Sequence, residues 1–154
     1  MSTHDHKRCV RDALQAAARL CTERGVRLTP LRRRVLELVW SSHRPVGAYA
    51  LLEMYRAEDR AAAPPTVYRA LGFLLDQGLI HRIASLNAYV GCTAPGAPHG
   101  GQFLICSRCG EALELDSTRI QDAVARSAAG AGFAVDHQTI EVTGLCARCK
   151  EATA

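Results

Sequence analysis

Four of the seven cysteines stand in two matched pairs, Cys106-Ser107-Arg108-Cys109 and Cys146-Ala147-Arg148-Cys149. A C-x-x-C knuckle sets two sulfurs on the same side of a tight turn. Two knuckles complete a tetrahedron of thiolates, the closed geometry of structural zinc. A site with no open coordination position stabilises a small fold and performs no chemistry. A dithiol redox pair, or cysteines with no common purpose, is the competing reading. The 36 residues between the pairs exceed the spacing of a compact zinc ribbon. Ordered structure in that interval must therefore bring the knuckles together.

A second group lies outside the knuckles. His81, Cys92, His99 and Glu114 are all capable zinc ligands. Mixed nitrogen, sulfur and oxygen donors suit zinc, and such a site releases the metal more readily than four thiolates do. Each residue also has an ordinary reading. His81 serves as a polar group at a strand edge, Cys92 as a small core residue, His99 as a loop residue and Glu114 as a solvated charge. An enzyme would need an open metal position carrying water as a Lewis acid. The sequence offers no further acid–base pair to go with it, so no catalytic residue and no small-molecule substrate are expected. Cys9 and Cys21 match no metal spacing and read as residues of the first helix.

The elements that must position these ligands follow from periodicity. Ala112 to Leu115 reads as a strand, and Asp116 or Ser117 can cap a helix through Ile120, Val124 and Ala128. Gly130 and Gly132 end that helix, and Phe133 to Val142 alternates as a long strand. The interval between the knuckles is thus a βαβ-like insertion. Ahead of it, Val10, Leu14, Ala17, Ala18 and Cys21 recur at helical spacing, and Gly25 stops that segment. Thr29-Pro30 supplies an N-cap and a first-turn proline for a second helix with Leu31, Val35, Leu38 and Val39 on one face. His43-Arg44-Pro45 ends it. A third helix spans Gly47 to Asp59, with Ala48, Leu51, Leu52 and Tyr55 inward. Pro64-Pro65 opens a fourth, striped by Val67, Leu71, Leu74 and Leu75 and closed by Gly78. Two β-prone runs, Leu79–Ile83 and Ala88–Cys92, flank a turn at Ser85-Leu86-Asn87.

Composition agrees with this division. The 154 residues suffice for one ordinary domain or two small ones. Hydrophobic residues at 48% and charged residues at 22% give a globular balance. No window approaches the roughly 18 apolar residues of a membrane span, and Met1 to His6 has no apolar signal core, so a cytoplasmic chain without a membrane partner is expected. An odd cysteine count without a signal peptide fits a reducing compartment, where clustered thiols hold metal. The net charge of +4 conceals an asymmetry. Through Ile83 there are 14 basic and 8 acidic residues; from Ala84 onward there are 5 and 7. The expected boundaries are a basic domain over residues 1–83, its hairpin extending to about 92, and a mildly acidic zinc-binding domain over 84–154.

Helices followed by a hairpin is the layout of a winged helix-turn-helix, whose last helix enters the DNA major groove. A helical bundle that binds nothing nucleic, or a zinc-stabilised module that binds protein, has the same periodicity. The fourth helix favours DNA. Thr66, Tyr68, Arg69 and Ala70 lie near its start, off the apolar stripe. Arg69 can fork onto guanine O6 and N7, and Tyr68 can touch a thymine methyl or a phosphate. Arg27, Arg32, Arg33 and Arg34 cluster at the start of the second helix and can meet phosphates. A solvated arginine face is the alternative.

The run Thr66-Val67-Tyr68-Arg69-Ala70-Leu71 after a proline-rich lead-in, the wing and the paired knuckles together resemble the ferric uptake regulator family. The likeness spans roughly Ala13 to Cys149, and within the family it is greatest to the zinc uptake regulators. Asn87-Ala88-Tyr89-Val90-Gly91-Cys92, His99 and Phe103-Leu104-Ile105-Cys106 are similar to theirs in type and spacing. Iron and peroxide members usually carry a histidine-rich run before the first knuckle. This chain has Pro98-His99-Gly100-Gly101 there and a cysteine at position 92, two departures that favour zinc. The resemblance implies an α+β fold, with an N-terminal winged helix-turn-helix DNA-binding domain and a C-terminal α/β dimerisation domain. It implies structural zinc at Cys106, Cys109, Cys146 and Cys149 and regulatory zinc at His81, Cys92, His99 and Glu114, two ions per subunit. Thr66, Tyr68, Arg69, Arg32 and Arg33 are the expected DNA contacts, and the partners are operator DNA and a second copy. The two-fold axis would run beside the Phe133 to Val142 strand or its neighbouring helix. Filling the regulatory site would fasten the two domains and set the recognition helices at the spacing of successive major grooves. The implied function is a zinc-responsive repressor of zinc-uptake genes, with an iron or peroxide sensor as the alternative. His137 stands where some members place another ligand, and it also reads as a polar residue on an alternating strand.

Overall fold

The computed structural model describes residues 6–97 and 100–152. The chain divides into two compact units, Met1–Ala97 and Pro98–Ala154. The expected mixture of helix and sheet is present, with helices dominating the first unit and a small sheet the second.

In the first unit, α1 spans His6–Glu23, α2 Pro30–Val39, α3 Ala48–Arg56 and α4 Pro64–Asp76. Helices α1, α2 and α4 carry recognisable signals at their ends. Gly25 takes φ +66°, a left-handed geometry that lets the chain leave α1 without a Cβ clash. Thr29 caps α2, its Oγ1 accepting from the Arg32 N–H at 3.3 Å, and Pro30 occupies the first turn, where no N–H is needed. Helix α2 ends at Val39, earlier than His43-Arg44-Pro45 implied, with Trp40 as its C-cap. Gly78 repeats the left-handed exit at the end of α4.

These helices meet in one apolar core. Leu14, Ala17 and Cys21 of α1 pack with Val35, Leu36, Leu38 and Val39 of α2, Leu51 and Leu52 of α3, and Val67, Ala70, Leu71 and Leu74 of α4. Removing each such aliphatic side chain from water contributes about 1.5–3 kcal/mol, which is what holds four short helices together. Ala70 was expected on the exposed face of α4 and is instead 2% exposed. Its position one turn after Val67 and Thr66 brings it beneath the helix, where a methyl group fits between close-packed neighbours.

The wing is three-stranded. Ile80–Ile83 (β2) and Ala88–Gly91 (β3) pair antiparallel around a short 3₁₀ turn at Ala84–Leu86, and Asn87 closes that turn at φ +46°. Val46–Gly47 (β1) adds to the outer side of β3, giving the order β1-β3-β2. Two residues are too few to leave a periodic signal, so β1 is not legible in the sequence.

In the second unit, Gly101–Cys106 (β4) is central, antiparallel to Ala112–Glu114 (β5) and parallel to Thr139–Gly144 (β6). Thr118–Gly130 (α5) connects β5 to β6, and Ala147–Glu151 (α6) follows the last strand. The last strand is shorter than the expected Phe133 to Val142 and lies later. Residues 133–138 are irregular, and Phe133 is 68% exposed. Strand pairing with β4, not the alternation of the preceding segment, sets where β6 begins. Strand β4 itself escaped the sequence reading because every residue but Leu104 is buried, so no alternation shows.

Candidate metal centres and nucleic-acid interface

The two knuckles converge. Cys106 ends β4 and Cys146 stands two residues beyond β6, and these are parallel neighbours in the sheet. Register does the work that spacing alone could not: Cys106 pairs with Gly144, so the 36-residue interval returns to its starting point. Ser107 N–H donates to the Gly144 carbonyl at 2.8 Å, and Cys106 N–H to the Glu111 carbonyl at 2.9 Å. Gly110 turns the first knuckle at φ +73°. The second knuckle runs into α6, with Cys146 as its N-cap.

The ligand atoms of Cys106, Cys109, Cys146 and Cys149 all lie within 4.8 Å of one another. Cys109 Sγ and Cys146 Sγ are 3.8 Å apart. A tetrahedral zinc with bonds of about 2.3 Å requires sulfur–sulfur edges of about 3.8 Å, so the donor set and its dimensions fit that ion. The surroundings favour thiolate at one member and oppose it at another. Backbone N–H groups of Cys146 and Cys109 point at Cys106, the former at 3.4 Å, and hold its thiol down to about 6. Cys149, hydrogen-bonded to Cys146 and buried, is pushed up to about 12. Four neighbouring sulfurs cannot all carry negative charge unless a cation lies among them. Around the cluster, Arg148 Nη2 meets Glu111 Oε2 at 2.8 Å, and Arg108 Nη1 donates to the Cys149 carbonyl at 3.1 Å. Glu111, two residues past the first knuckle, was not singled out by its sequence context.

The first unit holds two members of the other expected ligand set. His81 lies on β2 opposite Val90, and Cys92 follows β3 with its N–H donating to the Leu79 carbonyl at 3.0 Å. Antiparallel pairing brings their ligand atoms within 4.8 Å of each other, with Cys92 buried and His81 half-buried. Glu114 belongs to the second unit, where it is half-buried on β5 opposite Phe103. His99 lies outside the described residues. His137, also of the second unit, is exposed, with Nε2 3.2 Å from Thr139 Oγ1.

On α4, Tyr68 and Arg69 are exposed and Thr66 is half-buried, all in the first two turns. The arginines of α2 differ in what engages them. Arg33 is exposed, 3.7 Å from Glu37. Arg32 donates to the Arg27 carbonyl at 2.6 Å, and its guanidinium lies 3.7 Å over the Phe73 ring, a cation–π contact between α2 and α4. Arg34 meets Glu58 through both Nε and Nη2 and Glu37 at 2.5 Å. The guanidinium holds the Glu58 carboxyl below the ordinary range, and the two carboxylates raise Arg34 in turn. This network braces the segment leading from α3 into α4. Partners 24 residues apart leave no local signal in sequence.

The model of the ferric uptake regulator family matches residues 23–143. The chain belongs to the ferric uptake regulator family. It is 42% identical over 149 residues to the zinc uptake regulation protein of Escherichia coli (strain K12), covering 96% of this chain and 87% of that one. A solved zinc uptake regulator complexed with zinc and DNA superposes with a TM-score of 0.88 at 42% identity, covering 94% of this chain and 97% of the other. The crystal structure of holo XcZur superposes at 0.83 with 46% identity, covering 92% and 97%.

Replacing Cys109 with Ser should remove one tightly held zinc per chain and lower the thermal midpoint of the protein. Metal analysis after exhaustive dialysis checks this; an undiminished zinc content would contradict the four-sulfur site.

Proposed function

We propose that this chain is a zinc-responsive transcriptional repressor of zinc-uptake genes that binds palindromic operator DNA as a homodimer when its regulatory site is filled. The observation that carries the reading is the pairing of His81 with Cys92 at the wing, in a chain 42% identical to a zinc uptake regulation protein. The neighbour of TM-score 0.88 was solved with zinc and DNA bound.

In this reading each chain holds two zinc ions. Cys106, Cys109, Cys146 and Cys149 hold the structural one. His81, Cys92, His99 and Glu114 hold the regulatory one. A bound Zn²⁺ would supply one dicationic centre to which all four of these side chains donate lone pairs. Because the ligands come from both sides of Ala97, ligation narrows the orientations open to the two units. Shifting a competent population from about 1:99 to 99:1 takes roughly 5.5 kcal/mol of differential affinity. A thiolate at Cys92 suits zinc better than it suits the metals preferring oxygen donors, which disfavours an iron- or peroxide-sensing role.

Arg69, Tyr68 and Thr66 face DNA from the start of α4, and Arg33 with Arg32 meets phosphates. Arg32 does so from a guanidinium already oriented by Phe73, which lowers the entropy lost on contact. Dimerisation uses the second unit. Leu113, Leu104 and Val142 stand side by side across β5, β4 and β6, and all three are exposed. Such a row of apolar side chains on a small sheet calls for a covering partner, and a second copy supplies one. Among the described residues no helix is long and apolar enough to cross a membrane, which accords with a cytoplasmic regulator.

Two variants test this, using a duplex selected from random sequence by the zinc-loaded wild-type chain. Cys92→Ser should stay folded and dimeric and keep its structural zinc, while its zinc-dependent affinity for the duplex falls at least about tenfold. Unchanged binding at equal free zinc would sink the regulatory site. Arg69→Ala should weaken binding by about 1–3 kcal/mol and relax preference at one base position. If that variant binds and discriminates like wild type, α4 does not read the groove through Arg69.

A further inference from the structure

The single tryptophan of the chain sits in an unusual place. Trp40 caps α2, its N–H donating to the Leu36 carbonyl at 3.0 Å, and its half-buried indole reaches the wing. It lies so close to Gly91 that a Cβ there would fall no farther than 2.5 Å from three indole atoms, Cε2, Nε1 and Cζ2. Gly91 takes no positive φ, so backbone freedom does not require glycine at this position. What requires it is the indole. The contact is between the indole and bare strand backbone, and nothing larger than hydrogen fits between them.

Gly91 immediately precedes Cys92 and pairs with Ile80, the residue before His81. Cys92 thus adjoins the residue against which the indole lies, and His81 adjoins that residue's partner across the ladder. On its other side, Trp40 is continuous with α2, whose Val35, Leu38 and Val39 share the core with Leu71 and Leu74 of α4, and whose Arg32 stacks on Phe73 of α4. A rigid, unbroken run of packed groups therefore leads from the metal-bearing edge of β3 to the helix that carries Tyr68 and Arg69.

We propose that Trp40 is a positioning residue: its seat on Gly91 sets the wing's His81–Cys92 edge against α2 and couples metal binding there to the placement of α4. The inference rests on the regulatory-site reading above. The ligand atoms of His81 and Cys92 already lie within 4.8 Å, and a shared ion would fix that spacing and so constrain the adjoining backbone at Gly91. The indole transmits it because close-packed aromatic surface cannot yield by compression. Reciprocally, a duplex that fixes α4 should tighten zinc binding at the wing by the same factor.

The test has an optical and a binding arm. In the wild-type chain with its structural zinc in place, Trp40 emission should shift as zinc fills the second site, with no DNA present, and Cys92→Ser should abolish the shift. An emission that ignores the second zinc, or that responds equally in Cys92→Ser, would overturn the proposal. In the binding arm, Gly91→Ala should keep the structural zinc but lose at least about tenfold in affinity for the selected duplex at saturating zinc. The double variant Trp40→Leu, Gly91→Ala, which makes room for the methyl, should recover to within about threefold of Trp40→Leu alone. Wild-type affinity in Gly91→Ala would overturn the proposal, and so would a double variant no better than Gly91→Ala. If Gly91→Ala does not fold, restoration of folding without restoration of zinc-dependent binding in the double variant counts against it. Full zinc dependence in Cys92→Ser would instead overturn the regulatory site itself.

Discussion

Four sulfurs whose positions all lie within 4.8 Å of one another form a cluster that is strongly unfavourable as four thiolates and wasteful as four thiols. A tetrahedral cation would resolve the conflict, and in the proposed reading the second unit depends on it. Its apolar interior is small: Phe103 and Ile105 are buried on β4, with Cys106 and Cys149 beside them, while α5 buries no residue fully. A unit of this size has little stability to draw from core burial alone. Closing the knuckles ties the end of β4 to the end of β6, which is where the parallel pairing terminates. The cysteine cluster and the sheet register are therefore two expressions of one constraint.

The first unit solves a different problem. Its core joins the apolar stripes of four helices with Leu79, Ile80 and Tyr89 from the wing side. Its surface chemistry is the informative part. Of the arginines near the start of α2, Arg34 is committed to Glu58 and Glu37, Arg32 to Phe73 and the Arg27 carbonyl, and Arg33 is exposed near Glu37. Charge counted along the sequence treats these as equivalent, yet the first braces the approach to α4 and the second fastens α2 to α4. A recognition helix is useful only if its orientation is fixed before DNA arrives, because rigidity acquired on binding costs affinity. In the proposed reading, arginines that hold α4 in place serve DNA binding as surely as those that would touch phosphate.

Much of this was legible in residue types and spacing. The knuckles, the helix caps at Thr29 and Gly78, and the wing strands around Asn87 all carry local signals, because capping, turning and metal ligation each demand particular residues at short range. What escaped was either too short or too distant. Strand β1 is two residues long, and β4, buried everywhere but at Leu104, lacks alternation. The irregular path of residues 133–138 replaced an expected strand because alternation is necessary for a half-buried strand but does not supply it a partner. Ala70, small enough for either face of α4, lies in the core. The contact of Trp40 with Gly91 and the pair Arg34–Glu58 join residues far apart in sequence, and neither residue type declares its partner.

The central claim is that filling a zinc site at the wing raises affinity for operator DNA. It is tested most directly by titrating duplex binding against buffered free zinc, ferrous iron and manganese, with the structural site loaded throughout. The account predicts that zinc alone raises affinity at low free concentration, in a saturable step of one further ion per chain. An equal response to ferrous iron at comparable free concentration, or duplex binding that does not depend on free zinc at all, would contradict it.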